Sequence, residues 1–228
     1  WVKEAEEHAL IRAAQSVTDA AFERVAGKLV EGATEKEVAF ELEAAMRREG
    51  ADGVAFETIV AFGENAAEPH HSPTDRPLGR GEMVKMDLGG LVGGYHADMT
   101  RTVAFGDPPA RLRHVHEVVL AAQQAGIDAV KAEAVAGACD EAARAVIRDA
   151  GFGEAFTHSL GHGVGLEIHE PPWLRIGGEH VLPEGTVVTV EPGIYLDGVG
   201  GVRIEDMVEV TADGCRLIAT SPRELVVL

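Results

Sequence analysis

Four segments of the chain carry side chains that could bind metal ions, and the first holds Asp87 and Asp98. If Gly93-Gly94 forms a two-residue hairpin turn, Asp98 lies opposite Gly89 and shares a face with Asp87. The two carboxylates would then be diagonal neighbours, about 7–8 Å apart. Two exposed aspartates are the alternative, but the flanking sequence is apolar and strand-like. On an inward face such a pair repels unless a cation lies between the carboxylates, so the segment predicts a cation site.

The second segment, THSLGHGVGLEIHEPP, contains His158, His162 and His169. Neutral imidazole binds transition metals and transfers protons near neutral pH. Glycines between the histidines allow the backbone to approach a ligand closely. A single histidine is usually a packed or surface residue, whereas three beside a predicted strand favour a site.

The third and fourth segments, VVTVEPGIY and GGVRIEDMVEV, add further carboxylates. Glu191 follows an apolar strand, so it either emerges into water or points inward as a ligand. Arg203 and Glu205 are two residues apart on a predicted strand and share a face, so Arg203 could orient the Glu205 carboxylate. The alternative is an exposed ion pair worth less than about 1 kcal/mol.

Together these segments supply two aspartates, two glutamates and a histidine from both parts of the chain. Four carboxylates and one imidazole carry too much negative charge for one ion and suit two. The oxygen-rich, sulfur-free set favours Mn²⁺, with Co²⁺ and Zn²⁺ as alternatives. Two such ions, about 3.5–4 Å apart, can share a hydroxide and polarise a carbonyl.

Hydrophobic periodicity and turn residues predict the elements that must position these side chains. The order of helix, helix and strands occurs twice, with a period of about 100 residues, although any α+β chain can show such an order. We therefore predict two similar halves, about 1–107 and 108–228, whose sheets join in one core with the helices outside. Helices are predicted for 4–31, 34–48, 110–131 and 138–149, and strands for 56–62, 84–91, 95–105, 156–168, 186–191 and 202–210.

Composition excludes several classes of protein. The 228 residues include 20 Lys and Arg against 38 Asp and Glu, a net charge of −18, which argues against nucleic-acid and anionic-membrane partners. No apolar run reaches the roughly 20 residues that a membrane helix needs. Cys139 and Cys215 form no CxxC motif, so a reducing cytoplasm is the expected location. The first residues do not form a signal peptide, and the missing initiator Met leaves open an absent upstream segment.

In combination, five motifs resemble the catalytic pita-bread domain of the metallopeptidases that include Xaa-Pro aminopeptidase, prolidase and methionine aminopeptidase. They are GENAAEPHH, DLGGLVGGYHADMTRT, HSLGHGVGLEIHE, TVEPGIY and GVRIED. The resemblance covers essentially the whole chain. It implies an α+β pita-bread fold with two pseudo-symmetric halves, a curved antiparallel sheet and outer helices. Residues 1–228 would be a single catalytic domain without the N-terminal domain that is usual in such enzymes.

The resemblance also implies roles for individual residues. Asp98 and Glu205 would bridge the two metal ions, and Glu191 would be both a ligand and the general base. Arg203 would support the ligands. The implied metal ligands are Asp87, Asp98, His162, Glu191 and Glu205. The implied substrate-contacting or proton-relay histidines are His70, His158 and His169.

Within this family, EPGIY followed by GVRIED, and the closing SPREL, resemble the Xaa-Pro branch. The implied reaction is hydrolysis of the bond between an N-terminal residue and proline in a small peptide, and the implied assembly is a homodimer. His71 stands where relatives often have Tyr. The alternatives are a methionine aminopeptidase, a non-catalytic pita-bread binding protein and a metal-free creatine-type hydrolase, although the last would not retain all five ligands.

Overall fold

The computed structural model describes residues 1–228, and two helices open the chain, α1 (Ala5–Ala26) and α2 (Glu35–Arg48). Thr34 and Glu37 cap α2 reciprocally, as their spacing predicts. Helix α1 ends five residues before the predicted boundary at residue 31. The backbone beyond it pairs instead with a distant segment, where Gly32 N donates to Leu78 O at 2.9 Å.

The strands of the first half confirm the predicted hairpin register, with Val92 opposite Tyr95 and Leu88 opposite Met99. Gly93 and Gly94 both have positive φ, 57° and 84°, which a type I′ turn requires. The predicted strands 84–91 and 95–105 are each divided, and strand 56–62 begins only at residue 59. These elements are β1 (Gly53–Val54), β2 (Ile59–Phe62), a 3-10 helix (Gly63–Ala67), β3 (Glu82–Leu88), β4 (Gly90–Val92), β5 (Tyr95–His96) and β6 (Met99–Phe105).

The second half repeats the order of two helices followed by strands. The predicted strand 156–168 shortens to three residues around His162, and 202–210 is interrupted at Ile204 and Glu205. Three strands were not predicted, at residues 170–174, 193–196 and 215–217. The elements are α3 (Ala110–Ala129), α4 (Ala136–Asp149), β7 (Gly161–Gly163), β8 (Glu170–Leu174), β9 (Val187–Val190), β10 (Gly193–Leu196), β11 (Gly200–Arg203), β12 (Asp206–Val210) and β13 (Cys215–Leu217).

The two halves meet where β6 runs beside β11 and β12. Glu205 N donates to Thr100 O at 3.0 Å, and Thr102 Oγ1 donates to Arg203 O at 2.9 Å. On the first half, α1 and α2 pack on the sheet β2-β3-β6, and on the second half α3 and α4 pack against strands that include β9 and β12. The remaining hydrogen-bonded sheets are β1-β4-β5 and β10-β11, while β9 and β12 lie in the sheet β13-β12-β9-β7-β8. None of the four helices has the length and apolar character needed to cross a membrane.

Candidate metal centre

The five predicted ligands lie at ends or interruptions of strands from both halves. Asp98 directly precedes β6, Glu191 directly follows β9, and Glu205 lies between β11 and β12. Asp87 is the next-to-last residue of β3, and His162 is the middle residue of the short β7. Strand ends let polar side chains face a shared cavity while the apolar strand interiors stay in the core.

All nine predicted site residues line one cavity of about 440 Å³. Its centre is formed by Asp98, His162 and Glu205, whose ligand atoms all lie within 4.8 Å of one another and are buried. Glu191 joins this group because its Oε1 lies 3.3 Å from His162 Nε2. The other predicted residues that line the cavity are Asp87, His70, His158, His169 and Arg203.

Two potential ligand atoms around this group are available to bind a cation. His162 Nδ1 donates to Gly163 O at 3.0 Å, which leaves Nε2 free as a ligand atom. The Oδ1 atom of Asp87 is buried without a hydrogen-bond partner. Since buried polar atoms are nearly always satisfied, a free carboxylate oxygen beside this cluster fits a bound metal ion.

Electrostatic repulsion between the carboxylates of the cluster also favours a bound cation. Burial, and then the charges of Glu205 and Asp87, raise the pKa of Asp98 well above its ordinary value. Burial, and then Glu191 and Asp87, raise the pKa of Glu205 in the same way. A divalent cation offsets both effects by stabilising the ionised carboxylates. The residues present therefore fit a divalent metal site.

Arg203 contacts Asp87 directly and reaches Glu205 only through Thr100, whose Oγ1 accepts from Arg203 Nε at 3.0 Å. Its Nη2 donates to Asp87 Oδ2, whereas Glu205 Oε2 accepts a 2.6 Å hydrogen bond from Thr100 Oγ1. The predicted contact between Arg203 and Glu205 is wrong because the chain leaves the strand at Ile204, so alternation of side chains does not continue to Glu205.

His158 lies at the end of a hydrogen-bonded relay from Arg203. Arg203 Nη1 donates to the Tyr195 hydroxyl at 2.9 Å, and that hydroxyl donates to His158 Nε2 at 2.8 Å. His158 Nδ1 in turn donates to Ser159 O at 2.8 Å. Burial lowers the pKa of His158 and raises that of Tyr195 to about 12, so both groups are neutral at neutral pH.

Several residues that line the cavity or bond its side chains were not identified from the sequence. Tyr195 belongs to the quoted motif EPGIY, which offered a signal, and Thr100 follows Asp98 by two residues on the ligand-bearing segment. The apolar part of the lining offered none, because its residues come from distant segments: two loop residues, the first residue of β2 and one residue of the unpredicted β8. It consists of Phe56, Ile59, Ile168 and Trp173.

Replacing Tyr195 with phenylalanine tests the relay. Loss of the hydroxyl leaves His158 Nε2 without its donor, so we expect the free energy of unfolding to fall by about 1–3 kcal/mol. Urea denaturation of the metal-free protein measures this change. Tyr95→Phe is the matched control, since its hydroxyl donates to Glu7 at 2.6 Å and neither residue lines the cavity. Equal stability of the two variants would contradict a structural role for the relay.

Comparison with known proteins extends the likeness over the whole chain. The model of metallopeptidase family M24 matches residues 9–212. The Xaa-Pro dipeptidase of Pyrococcus furiosus is 43% identical over 224 residues, which are 98% of this chain and 64% of that protein. The Xaa-Pro dipeptidase of Lactobacillus delbrueckii subsp. lactis is 42% identical over 219 residues, 96% of this chain and 60% of that protein. The chain thus spans less than two thirds of the length of these curated relatives.

Solved structures show the same fold. An X-Pro aminopeptidase from Thermotoga maritima superimposes with a TM-score of 0.98 at 43% identity, over 100% of this chain and 64% of that one. Prolidase from Pyrococcus furiosus gives a TM-score of 0.95 at 42% identity, over 97% of this chain and 66% of that one. The predicted α+β pita-bread fold is confirmed.

Proposed function

The chain belongs to metallopeptidase family M24, and we propose that it hydrolyses the peptide bond between an N-terminal residue and proline, as an Xaa-Pro dipeptidase or aminopeptidase. The observation that carries this proposal is the buried cluster of Asp98, His162 and Glu205, with ligand atoms within 4.8 Å of one another. The cluster occurs in a chain that is 43% identical, over 98% of its residues, to a protein named Xaa-Pro dipeptidase.

We propose two divalent ions in this centre, with Mn²⁺ favoured by the oxygen-rich donors and Co²⁺ or Zn²⁺ as alternatives. Asp98 and Glu205 are the proposed bridging carboxylates. When bound, such ions polarise a carbonyl and lower the pKa of water. The proposed ligands are Asp87, Asp98, His162, Glu191 and Glu205.

Glu191 is the proposed general base. In the metal-free protein, where His162 Nε2 is not bound to a cation, burial raises the pKa of Glu191, but the hydrogen bond and charge of His162 outweigh that effect and lower it to about 2. Glu191 is therefore ionised at neutral pH, ready to accept a proton from water and to return it to the leaving proline nitrogen.

His70 and His169 are the proposed hydrogen-bond donors to the substrate. Both are exposed in the cavity wall, and burial together with the neighbouring His162 lowers the pKa of His169. A neutral imidazole donates through one ring nitrogen, which suits an oxygen that gains negative charge during hydrolysis. His158 and Arg203 hold the surrounding side chains in place through the relay to Tyr195.

The apolar lining accounts for a preference for proline at the second position. The nitrogen of a peptide bond to proline carries no hydrogen, so the enzyme needs no acceptor there. Phe56, Ile59 and Trp173 supply apolar surface around the centre, onto which a pyrrolidine ring can pack without leaving a polar group unpaired.

Peptide hydrolysis with and without metal tests the function. We expect turnover of Ala-Pro or Ala-Pro-Ala with Mn²⁺, its loss on chelation, and its return when Mn²⁺ is restored. Cleavage of Met-Ala-Ser in place of both proline peptides would instead support a methionine aminopeptidase. Metal binding without hydrolysis of any of the three peptides would favour a non-catalytic binding protein.

The remaining proposals concern organisation. Residues 1–228 are proposed to form a single catalytic domain, supported by a family match that crosses both halves. A homodimer is proposed by analogy with the family, and light scattering measures it. A reducing, cytoplasmic location is proposed because Cys139 and Cys215 are both free thiols.

A further inference from the structure

Lys85 is a fully buried lysine whose role the metal centre does not explain. It lies on β3 two residues before Asp87 and therefore on the same face of the strand. Its side chain is 0% exposed. Instead of an ion pair, its Nζ makes hydrogen bonds to three backbone carbonyls, those of Ala66 at 3.2 Å, Glu68, and Pro69 at 3.4 Å.

Packing alone does not account for a lysine at this position. Burying the nitrogen of a lysine is costly unless it is hydrogen-bonded, and here three backbone carbonyls lie within hydrogen-bonding distance of it. A methionine of similar length would fill the same space without that cost, as Met83 and Met86 do on this strand. The lysine therefore differs from an apolar residue in the hydrogen bonds that it makes to the three carbonyls.

The held segment carries a proposed catalytic residue. Pro69 O accepts a second hydrogen bond, from Arg203 Nη1 at 3.1 Å, and His70 follows it directly in the cavity wall. On the other side of His70, His71 Nε2 lies 2.9 Å from the buried carboxylate of Glu35. His70 thus lies between two hydrogen-bonded neighbours, and Lys85 donates to three carbonyls in the segment before it.

We propose that Lys85 is a positioning residue that fixes residues 66–69 and thereby holds His70 in place for the substrate. This inference rests on the proposed function, because it takes His70 as a substrate-contacting residue. Lys85 contacts neither substrate nor metal in this account. Asp87 is bonded by Arg203 and not by Lys85, so we expect the metal ligands to stay in place when Lys85 is changed.

Lys85→Met tests the inference, with Met86→Leu as the control on the opposite face of the same strand. We expect amide hydrogen exchange of residues 63–71 to quicken about tenfold in Lys85→Met and to stay unchanged in the control. Metal content per chain should equal that of the parent protein in both variants. Lys85→Gln retains two N–H donors, is the second variant if Lys85→Met fails to fold, and should show intermediate exchange.

Kinetics distinguish positioning of His70 from general damage. We expect kcat on the cleaved proline peptide to fall about 10- to 100-fold in Lys85→Met. In a His70→Ala background, the same substitution should cause no further loss, because a residue that acts through His70 has nothing left to position.

The outcomes separate the inference from the proposed function. Unchanged exchange in both Lys85 variants, or a full additional loss of kcat in the His70→Ala background, would overturn the positioning role even in an active enzyme. A parent protein that cleaves no peptide would reject the proposed function, and the exchange measurement alone then decides whether Lys85 holds the segment.

Discussion

Glu205→Gln is expected to abolish binding of the second metal ion and to lower kcat/KM by at least about 10³-fold, the order of effect seen when a main electrostatic contribution to the transition state is removed. Glu205 offers a ligand atom within 4.8 Å of those of Asp98 and His162. Glutamine keeps the shape and an oxygen that can accept from Thr100, but it removes the negative charge that holds the cation.

The same substitution should raise the stability of the metal-free protein, although it lowers activity. Burial and neighbouring carboxylates raise the pKa of Glu205, so its ionised form destabilises the metal-free fold at neutral pH. We therefore expect metal-free Glu205→Gln to melt above the metal-free parent protein. Added Mn²⁺ should raise the Tm of the parent protein, which binds two ions, by more than that of the variant, which binds one.

Glu209→Gln is the matched control, because Glu209 lies on β12 and pairs at the surface with Arg12 and Arg216. Elemental analysis and hydrolysis of Ala-Pro should not distinguish it from the parent protein. Two ions per chain and normal turnover in Glu205→Gln would rule out the assignment of Glu205 as a bridging ligand.

Arg101→Met should cause the largest loss of stability, about 3–5 kcal/mol, as expected when one partner of a buried ion pair is removed. Arg101 is 2% exposed. Its Nη2 donates to Asp206 Oδ1 at 2.6 Å, and its Nη1 donates to Glu205 O at 2.6 Å. Without it, buried Asp206 keeps only the 2.7 Å hydrogen bond from Gln123.

This loss should depend on pH. Burial raises the pKa of Asp206 even in the presence of Arg101, and removing the cation raises it further. A group whose pKa is raised on folding takes up a proton as pH falls, so the stability deficit of Arg101→Met should shrink in acid. Urea denaturation at neutral and acidic pH measures the deficit.

Arg113→Met is the control for Arg101, since the pair of Arg113 with Asp107 is exposed and its loss should cost less than about 1 kcal/mol. A stability deficit of less than about 1 kcal/mol in Arg101→Met, or a deficit that grows in acid, would contradict the conclusion that Arg101 stabilises the buried Asp206 carboxylate. The additional substitution Asp206→Asn should recover part of the stability of Arg101→Met.

Features that depend on neighbouring residues could be predicted from the sequence. The turn at Gly93-Gly94 needs two positive φ angles, which glycine supplies, and side-chain alternation then places Asp87 and Asp98 on one face. The register of this hairpin was predicted correctly for the same reason. The cap formed by Thr34 and Glu37 is equally local.

Interactions between distant segments could not be predicted in the same way. The sequence placed Arg203 beside Glu205, but the interruption between β11 and β12 turns it toward Asp87, 116 residues away in the chain. The apolar lining includes Trp173 from an unpredicted strand. Nothing in the spacing of residues indicated that Lys85 holds the carbonyls before His70.

The chain by itself therefore determined the types of ligand, the local turns and caps, and the doubled order of helices and strands. Only the tertiary structure decided which arginine contacts which carboxylate, which apolar side chains line the cavity, and which lysine bonds the carbonyls before His70. The physical reason is that short-range geometry follows from the covalent chain and its backbone preferences, whereas a buried charge takes the partners that packing of remote segments brings within hydrogen-bonding distance.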